Sequence, residues 1–421
     1  MTQIVIIAVV VLAIAIGGVA YYSLQPAAPV ELNTLIWVYP PMEEYSIIMT
    51  ELAPDLGYTV VHGLVGGDEF MEKTRIQGAA GSATHDILWS NDNTVPEFAD
   101  AGWLEPLDEY LEPLWEEYDL DDIPQNLWDA VSYEGKIYGV PNLFGTQTLY
   151  YRADVFEENG LDVPTNFDEW LVAAETLTDP DAGQYGWTYG LIDYDMAAAT
   201  FSYFLWSHGG DYLDASYEPI FNGPEGVEAL ETFIAMNEFA PPGCLSYSTN
   251  ELVLDLQQGT AMTGITWSSR FKSMDDPEFS NVVGLMQFAL PPGSAASPGR
   301  TNSPVDCFAI SATSDHKEEA IKLVLETLKA ENMIRCVALA MVSRSSIAMD
   351  PEVAATYRWY PIALEAAGNG GSYPLIPETP AMFENLREEL QNALTGAKTA
   401  QEALDDAAEW THDYLSERGY Y

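Results

Sequence analysis

The sequence predicts an α/β protein that is built from more than one domain. Patterns typical of short buried strands alternate with amphipathic helical patterns along most of the chain. The chain has 421 residues, of which 48% are hydrophobic, so it is long enough for two or three domains with a large core. An almost continuous apolar run, Ile4 to Tyr22, precedes these patterns. We therefore expect mostly parallel sheets flanked by helices, preceded by an apolar N-terminal helix.

The apolar run is long enough to cross a bilayer as a helix. Met1-Thr2-Gln3 contains no Lys or Arg, which argues against a signal peptide, although Gly18-Val19-Ala20 would suit a cleavage site. We predict an uncleaved signal anchor over residues 1–30, in which Ser23 to Val30 is a spacer. Cleavage and secretion remain the alternative. In both cases the rest of the protein is expected at the cell surface or outside the cell.

The charge of the chain excludes one class of partner. Sixteen Lys and Arg face 65 Asp and Glu, which gives a formal charge of −49. Such a surface repels nucleic acids, so we expect no nucleic-acid partner. Because the acids are scattered along the sequence, the chain resembles proteins that work in high salt, where screening removes self-repulsion. A halophilic source is the hypothesis, and an ordinary acidic secreted protein is the alternative.

The cysteines and histidines indicate neither a cofactor nor a metal site. Cys244, Cys307 and Cys336 permit at most one disulfide, and their spacing fits no zinc motif. The five His residues are scattered. We predict that the three Cys are buried as small hydrophobic residues, and we leave open whether two of them are bonded.

The first third of the chain predicts alternating strands and helices. Strand signals and helical runs follow one another, and several helices end at a glycine or begin at a proline. In order, they are the strand Leu32 to Tyr39, a helix to Leu52, the strand Tyr58 to His62, the helix Asp68 to Ala80, the strand Asp86 to Ser90 and the helix Val95 to Ala101.

The remaining elements are helix-rich, with isolated strands. A strand follows Pro141, and a helix ending at Asn159-Gly160 precedes a second one opened by Pro164-Thr165. The later predicted elements are the helices Asp168 to Leu177, Met196 to Ser207, Pro224 to Glu238, Leu252 to Gln258 and Lys317 to Leu328, and the strands Val283 to Leu290 and Cys307 to Ser311.

Several of these segments resemble one known family. The stretch Tyr138 to Thr178 is similar to the hinge region of extracellular solute-binding protein family 1, the maltose-binding-protein-like proteins that serve ABC importers. Gly259-Thr260-Ala261-Met262 resembles the segment before the family's second crossover. Pro374 to Pro377 and the later Leu394-Thr395-Gly396 resemble its closing helices. The likeness extends from about Leu32 to Leu415.

The resemblance implies a two-lobed periplasmic-binding-protein-like fold of type II, hinged by crossover segments. The lobes would comprise 31–141 plus 271–342, and 142–270 plus 343–421 with the C-terminal helices. It also implies a monomer that is not an enzyme. Such a protein closes on a sugar, oligosaccharide or polyol in the cleft between its lobes and delivers it to membrane permease subunits.

The resemblance, together with the chemistry of sugar binding, suggests a set of ligand-binding residues. Aromatic faces stack on the apolar side of a sugar ring, and Asp, Gln and Arg side chains bind its hydroxyls. The candidates are Tyr39, Trp89, Asp92, Phe144, Gln147, Trp206, Trp267, Arg270, Asp306 and Phe383.

Each candidate also has a purely structural interpretation. Packing under a helix, at a strand end, in a core or at the lobe junction would explain Tyr39, Trp89, Trp206, Trp267 and Phe383. Local capping, a hinge backbone role or a surface ion pair would explain Asp92, Phe144, Gln147, Arg270 and Asp306.

Two departures from the family pattern leave the ligand open. Tyr151-Arg152 stands where the family has Tyr-Asn, and Val305-Asp306-Cys307 where it commonly has Gly-Gly. A binding protein for a polyamine, an osmolyte or a phosphoester is therefore the alternative. A secreted glycoside hydrolase, which would use paired carboxylates, is a more distant one.

Overall fold

The computed structural model describes residues 29–81, 84–295 and 297–421. Strand segments are dispersed along the chain, as the alternation of sequence patterns predicted. The strands are β1 (Val30–Trp37), β2 (Tyr58–Val65), β3 (Ile87–Asn91), β4 (Ser132–Tyr133), β5 (Lys136–Ile137), β6 (Gly139–Phe144), β7 (Gln147–Arg152), β8 (Thr263–Trp267), β9 (Met286–Ala289), β10 (Val305–Ile310) and β11 (Met341–Val342).

Helices make up most of the rest, and many begin at the proline or capping residue expected from the sequence. They are α1 (Pro40–Leu52), α2 (Gly67–Ala80), α3 (Val95–Asp100), α4 (Asp108–Leu111), α5 (Gln125–Ala130), α6 (Ala153–Asn159), α7 (Phe167–Leu177), α8 (Tyr194–Ser207), α9 (Pro224–Asn237), α10 (Thr249–Gln258), α11 (Phe271–Met274), α12 (Lys317–Thr327), α13 (Ala330–Met333), α14 (Ser345–Ala348), α15 (Pro351–Thr356), α16 (Tyr360–Gly368), α17 (Thr379–Leu394) and α18 (Ala400–Glu417).

The larger sheet has six strands in the order β11-β6-β10-β3-β1-β2. β1 pairs in parallel with β2 and β3, whereas β10 is antiparallel to both β3 and β6. The expectation of mostly parallel sheets is therefore wrong. The β1 to β3 segment follows the parallel strand-helix-strand rule, but β10 enters the sheet after a long excursion through the other sheet and runs in the opposite direction.

The smaller sheet has the order β8-β7-β9 and is wholly antiparallel. β9 belongs to this sheet, although the domain division from sequence assigned its residues to the first lobe. Likewise β6, whose last three residues were assigned to the second lobe, lies in the six-stranded sheet. The division of the whole chain into lobes stays a prediction.

Neighbouring chain segments connect the two sheets. β6 ends at Phe144 and β7 begins at Gln147, so Gly145 and Thr146 span the gap. The Gly145 N–H donates to the Pro304 carbonyl at 2.9 Å, and the hydroxyls of Thr146 and Thr301 are 3.2 Å apart. These two crossing segments lie where the sequence predicted a hinge, and movement about them stays a prediction.

The core has two large parts, which we call the first and second core clusters. The first surrounds the six-stranded sheet, where Tyr45 packs edge-to-face on Phe308 with ring centroids 5.4 Å apart. The second holds Phe204 stacked on Phe233 at 4.9 Å and receives the C-terminal helices α17 and α18 through Leu390 and Leu404. Each buried Phe or Leu of this kind stabilises the fold by about 1.5–3 kcal/mol.

Local signals in the sequence set several helix ends. Gly160 adopts the left-handed conformation with φ of 65° and ends α6, as the Asn-Gly pair predicted. Thr399 and Glu402 form a capping box that starts α18. Cys244, Cys307 and Cys336 are all buried with free thiols, so the prediction of buried cysteines is confirmed.

The predicted anchor helix, Ile4 to Tyr22, lies outside the described residues. Among the residues that the structure describes, none of the helices is both long and apolar enough to span a membrane.

Candidate functional site

A cleft lies where the six-stranded sheet, the three-stranded sheet and the N-terminal ends of α8 and α10 approach one another. Its inner part has a cavity volume of about 110 Å³, and a wider outer part shares eight of its lining residues. The inner part is lined by aromatic, amide and charged side chains, among them Trp37, Tyr39, Trp89, Asn91, Asn93, Phe144, Asp195, Trp267, Arg270, Asn302 and Asp306.

One wall is formed by side chains at the ends of strands in the larger sheet. Tyr39, the residue before α1, donates its hydroxyl hydrogen to Oδ2 of Asp306. The pairing of β10 with β6 shifts register between Asp306 and Cys307. A bulge of this kind re-aims a side chain, and here Cys307 is in the core while Asp306 lines the cleft. Asp306 therefore obtains its position from the bulged strand β10, and Tyr39 from the residues that follow β1.

Burial makes Asp306 an unusual carboxyl. Loss of solvation raises its pKa to about 7, whereas the hydrogen bond from Tyr39 lowers it. Tyr39 in turn has its pKa raised well above its ordinary value, first by burial and then by the charge of Asp306. Asp306 is thus a cleft acceptor that changes charge near neutral pH.

Trp89 is at the cleft but is less open than the sequence suggested. It is 2% exposed and lies between Trp37, at 5.0 Å, and Phe70, at 5.2 Å, both in edge-to-face geometry. Trp37, which the sequence reasoning missed, is half-buried and lines the cleft in front of it. The alternation of side chains along β1 places Trp37 on the same side as Tyr39, and that signal would have found it.

Asp92 does not line either part of the cleft, which corrects its predicted role as a hydroxyl acceptor. It is fully buried behind the cleft, where Oδ1 accepts from the Val305 N–H at 3.3 Å and the Val305 carbonyl accepts from the Asp92 N–H at 3.1 Å. Burial raises its pKa to about 8. Asp92 therefore fixes the start of β10, next to Asp306.

The hinge segment brings Phe144 and Trp267 to the opposite side of the inner cleft. Phe144 ends β6, Trp267 ends β8, and the Trp267 ring lies against Gly145, whose added Cβ would be 3.9 Å from the ring. Gln147, also predicted here, is 4% exposed and pairs with Trp267 in the sheet without lining the cleft. As direct partners, Gln147 and Trp267 have side chains on the same face of the sheet. Gln147 is buried there and does not line the cleft, which corrects that prediction.

Arg270 lies one turn beyond β8 and lines both parts of the cleft. Its Nε is buried without a hydrogen-bond partner. Burial lowers its pKa, and the hydroxyls of Tyr39 and Tyr150 raise it. The interpretation as a surface ion pair is therefore wrong, since the guanidinium faces the cleft.

Two aromatic candidates belong to the second core cluster. Trp206 is 2% exposed, packs on Tyr212 and Tyr373 at 6.1 and 5.9 Å, and lines neither part of the cleft. Its cleft role is corrected because that face of α8 points into the core. Phe383 is also 2% exposed, but it lies at the base of the outer cleft against Tyr373, at 4.9 Å.

Asp195 and Asn302 complete the inner cleft, and sequence reasoning missed both. Asp195 is in the first turn of α8, after the N-cap Asp193, which accepts from the Met196 N–H at 2.8 Å. Burial, followed by the charges of Asp193 and Asp306, raises the Asp195 pKa to about 7. Asn302 is 1% exposed, and its Oδ1 has no partner. The N-cap residue Asp193 predicts where α8 starts. It does not predict that the first turn of α8 faces the cleft beside β10.

These groups can bind a small polar molecule with an apolar face. Aromatic rings are available for stacking, while carboxyl and amide oxygens accept hydrogen bonds and Arg270 donates them. Within the described part of the chain, no cluster of three or more His, Cys, Asp or Glu residues has metal-binding geometry.

Comparison with known families identifies the class of protein. The model of the bacterial extracellular solute-binding protein family matches residues 41–331, well over half of the chain. The chain belongs to this family.

Individual members and structures agree with this assignment. The mannitol-binding protein of Pseudomonas aeruginosa is 25% identical over 343 residues, which cover 76% of this chain and 78% of that protein. A solute-binding protein of Agrobacterium radiobacter K84, solved with ribitol, has a TM-score of 0.83 at 25% identity, covering 93% of this chain and all of that one. One from Thermotoga lettingae, solved with α-D-tagatose, has a TM-score of 0.83 at 25% identity and covers 92% and 100%.

These structural matches confirm the two-lobed periplasmic-binding-protein fold. The prediction of the family from the hinge and closing segments is also confirmed.

Proposed function

We propose that this protein is the extracytoplasmic substrate-binding component of an ABC importer and captures a sugar or polyol. The observation that carries the proposal is the cleft between the two sheets, where Trp37, Trp267 and Phe144 provide aromatic surface beside Asp306 and Arg270. Mannitol, ribitol and tagatose, which similar proteins bind, are small hydroxylated molecules of matching chemistry.

The proposed mechanism is closure about the hinge, with no catalytic step. Gly145 and Thr146 link the sheets, and Pro304 and Thr301 lie beside them in the returning segment. A ligand that contacts both walls favours the closed form by its difference in affinity for the two states. The closed protein would then deliver the ligand to the permease.

Among the predicted ligand residues, the proposal retains those that line the cleft. These are Tyr39, Trp89, Phe144, Trp267, Arg270, Asp306 and, in the outer part, Phe383. We add Asp195 and Asn302 to this contact set. We also propose that the lobes follow the two sheets, with the chain passing between them near residues 145 and 304 and again between β11 and α17.

Two further parts of the proposal concern the setting of the protein. The anchor over Ile4 to Tyr22 would hold it near the permease and raise its effective concentration there. The charge of −49 favours a high-salt environment. If this is correct, the unfolding temperature of the full chain rises steadily from low to molar salt, and an unchanged value contradicts the halophilic hypothesis.

Ligand-induced stabilisation tests the proposed function. The full chain, in mild detergent and molar salt, is melted with monosaccharides, oligosaccharides, polyols, polyamines and phosphoesters. A ligand at 100 times its Kd adds about 2.7 kcal/mol of stability. Stabilisation by a sugar or polyol supports the proposal, while stabilisation by a phosphoester or polyamine alone contradicts it.

A further inference from the structure

Acidic side chains outnumber basic ones in the cleft. Among the described residues that line its two parts, the carboxyls are Glu43, Asp193, Asp195 and Asp306, and Arg270 is the one Lys or Arg residue. The chain is acidic throughout, but an exposed carboxylate keeps its hydration. Asp195 and Asp306 lose theirs, which is unfavourable for their charged forms. The charge of the cleft is therefore a separate feature from the charge of the surface.

Asp195 and Asp306 reach the inner cleft from different parts of the fold. Asp306 projects from β10 in the six-stranded sheet, and Asp195 projects from the first turn of α8, which packs in the second core cluster. The charge of Asp306 contributes to the raised pKa of Asp195, so the two carboxyls repel each other across the cleft. A group that neutralises both would remove this repulsion.

Arg270 does not fill this role. Its Nε has no hydrogen-bond partner, and the charges that raise its pKa are those of Tyr39 and Tyr150, not those of a carboxylate. Neither Asp195 nor Asp306 has Arg270 among the groups that shift its pKa. In the part of the chain that the structure describes, the carboxyl pair therefore still lacks a positive partner.

The groups around the pair suit a cation that also donates hydrogen bonds. Trp37, Tyr39 and Trp267 line the same inner space, and aromatic faces attract cations. Asn302 is 1% exposed and its Oδ1 has no partner, so it is a buried acceptor on the cleft that a ligand donor would satisfy. Ammonium and hydroxyl groups both supply such donors.

We propose that the cleft favours a ligand that carries a protonated amine beside its hydroxyls, such as an amino polyol or an amino sugar, over the neutral molecule of the same shape. The ammonium group would lie between Asp195 and Asp306, and the hydroxylated part would contact Trp267, Asn302 and Arg270. This inference rests on the proposed carbohydrate function and refines its ligand class.

Matched ligand pairs test the inference. Calorimetric titration of the full chain at pH 8 compares sorbitol with 1-amino-1-deoxysorbitol, and methyl glucoside with its 6-amino-6-deoxy and 6-acetamido-6-deoxy derivatives. Each amine adds one positive charge with little change in shape, and the acetylated sugar keeps the nitrogen without the charge. We expect the better-fitting amine to bind about tenfold more tightly than its neutral partner.

Substitutions locate the effect. Asp195→Asn and Asp306→Asn keep the side-chain shape and remove one charge each, so the ratio of amine to neutral affinity should fall towards one in both. The control is Glu417→Gln, which removes a charge from an exposed position at the end of α18 and should leave the ratio unchanged. Thermal melts of each variant without ligand show that it is folded.

The outcomes distinguish the inferred preference for an amine from the proposed binding of a sugar or polyol. Neutral polyols or sugars that bind as tightly as their amines overturn the inference and leave the carbohydrate function intact. An amine preference that survives in both Asn variants overturns the assignment to Asp195 and Asp306. Both proposals are contradicted if putrescine is the one compound that binds. They are also contradicted if none of the tested sugars, polyols and amines binds.

Discussion

The two walls of the cleft are constructed differently. On the wall of the larger sheet, Tyr39 is hydrogen-bonded to Asp306 and Trp37 packs on Trp89, so these groups hold one another in place. On the other wall, Trp267 and Arg270 come from the end of β8 and the turn after it. The first wall is therefore held together by its own contacts, whereas the second is formed by a strand end and the turn after it.

The comparison extends to tryptophans that the sequence treated alike. Trp206 and Trp267 were both predicted to face the ligand, but Trp206 is 2% exposed in the second core cluster and Trp267 lines the cleft. Removing each ring should therefore affect a different property.

The largest effect is expected for Trp206→Ala. The ring is enclosed by Tyr212 and Tyr373, with the Arg300 guanidinium 5.5 Å from its centre. Its removal should lower the free energy of unfolding by about 3–5 kcal/mol, because the surrounding core cannot collapse fully. Denaturant unfolding measures this loss. A loss below about 1 kcal/mol would show that the site is not a packed core position.

Trp267→Ala should instead weaken ligand binding. Loss of a stacking face should raise the Kd by roughly tenfold or more, with a small change in stability because the ring is partly exposed. Titration with a ligand found in the stabilisation screen measures the change. Trp410→Ala is the matched control, since Trp410 is 36% exposed on α18 and stacks on Tyr414 away from the cleft. Equal losses of affinity in the two variants would contradict the assignment.

Asp92→Asn tests whether ionisation of the buried Asp92 carboxyl lowers the free energy of unfolding. The folded pKa of Asp92, about 8, exceeds the ordinary value of 3.8. The native state therefore binds a proton that the unfolded state releases, and the stability present below pH 4 is lost as the pH rises to 8. The variant should flatten the fall in unfolding free energy between pH 5 and 9 by about 1 kcal/mol or more.

Asp306 and Asp195 also have raised pKa values of about 7, so they too lower the free energy of unfolding as the pH rises. In Asp92→Asn the unfolding free energy should therefore still fall with pH, but less steeply. An unchanged slope would mean that Asp92 has an ordinary pKa in the folded protein.

Tyr39→Phe should have the smallest effect. It removes the hydroxyl that donates to Asp306, which costs about 1 kcal/mol of stability. Because that hydrogen bond lowers the pKa of Asp306, its loss should raise the pKa further above 7. Carbon-detected NMR titration of the Asp306 carboxyl measures the shift. A lowered pKa would contradict the hydrogen bond between Tyr39 and Asp306. No change in stability or pKa would show that this bond does not hold the first wall together.

Much of the fold was predictable because its signals are local. The Gly160 stop, the Pro40 start and the strand patterns depend on a few neighbouring residues, and the observed ends lie within a few residues of the predicted ones. The direction of β10 is not local, since it depends on how the chain returns from the smaller sheet. The same limit explains why the sheets were predicted to be mostly parallel.

The cleft was predictable to a similar extent. Tyr39 follows β1 and Trp267 ends β8, and positions where strands end in α/β folds often face a cleft. Asp195 was missed because its helix start meets the cleft only through tertiary packing. Gln147 was misplaced because its 4% exposure comes from tertiary packing, which its place opposite Trp267 in the sheet does not reveal. Contact between any of these side chains and a ligand stays a prediction.

The three buried cysteines can report when each core cluster opens. Cys307 packs so closely on Gly139 that a Cβ there would be 2.3 Å from its sulfur, and Cys336 is in the same cluster, while Cys244 lies in the other. Burial raises the pKa of each thiol, so a thiol reagent reacts after the surrounding core opens. Mass spectrometry of the labelled peptides would therefore time the opening of the two core clusters separately, in one unmodified chain.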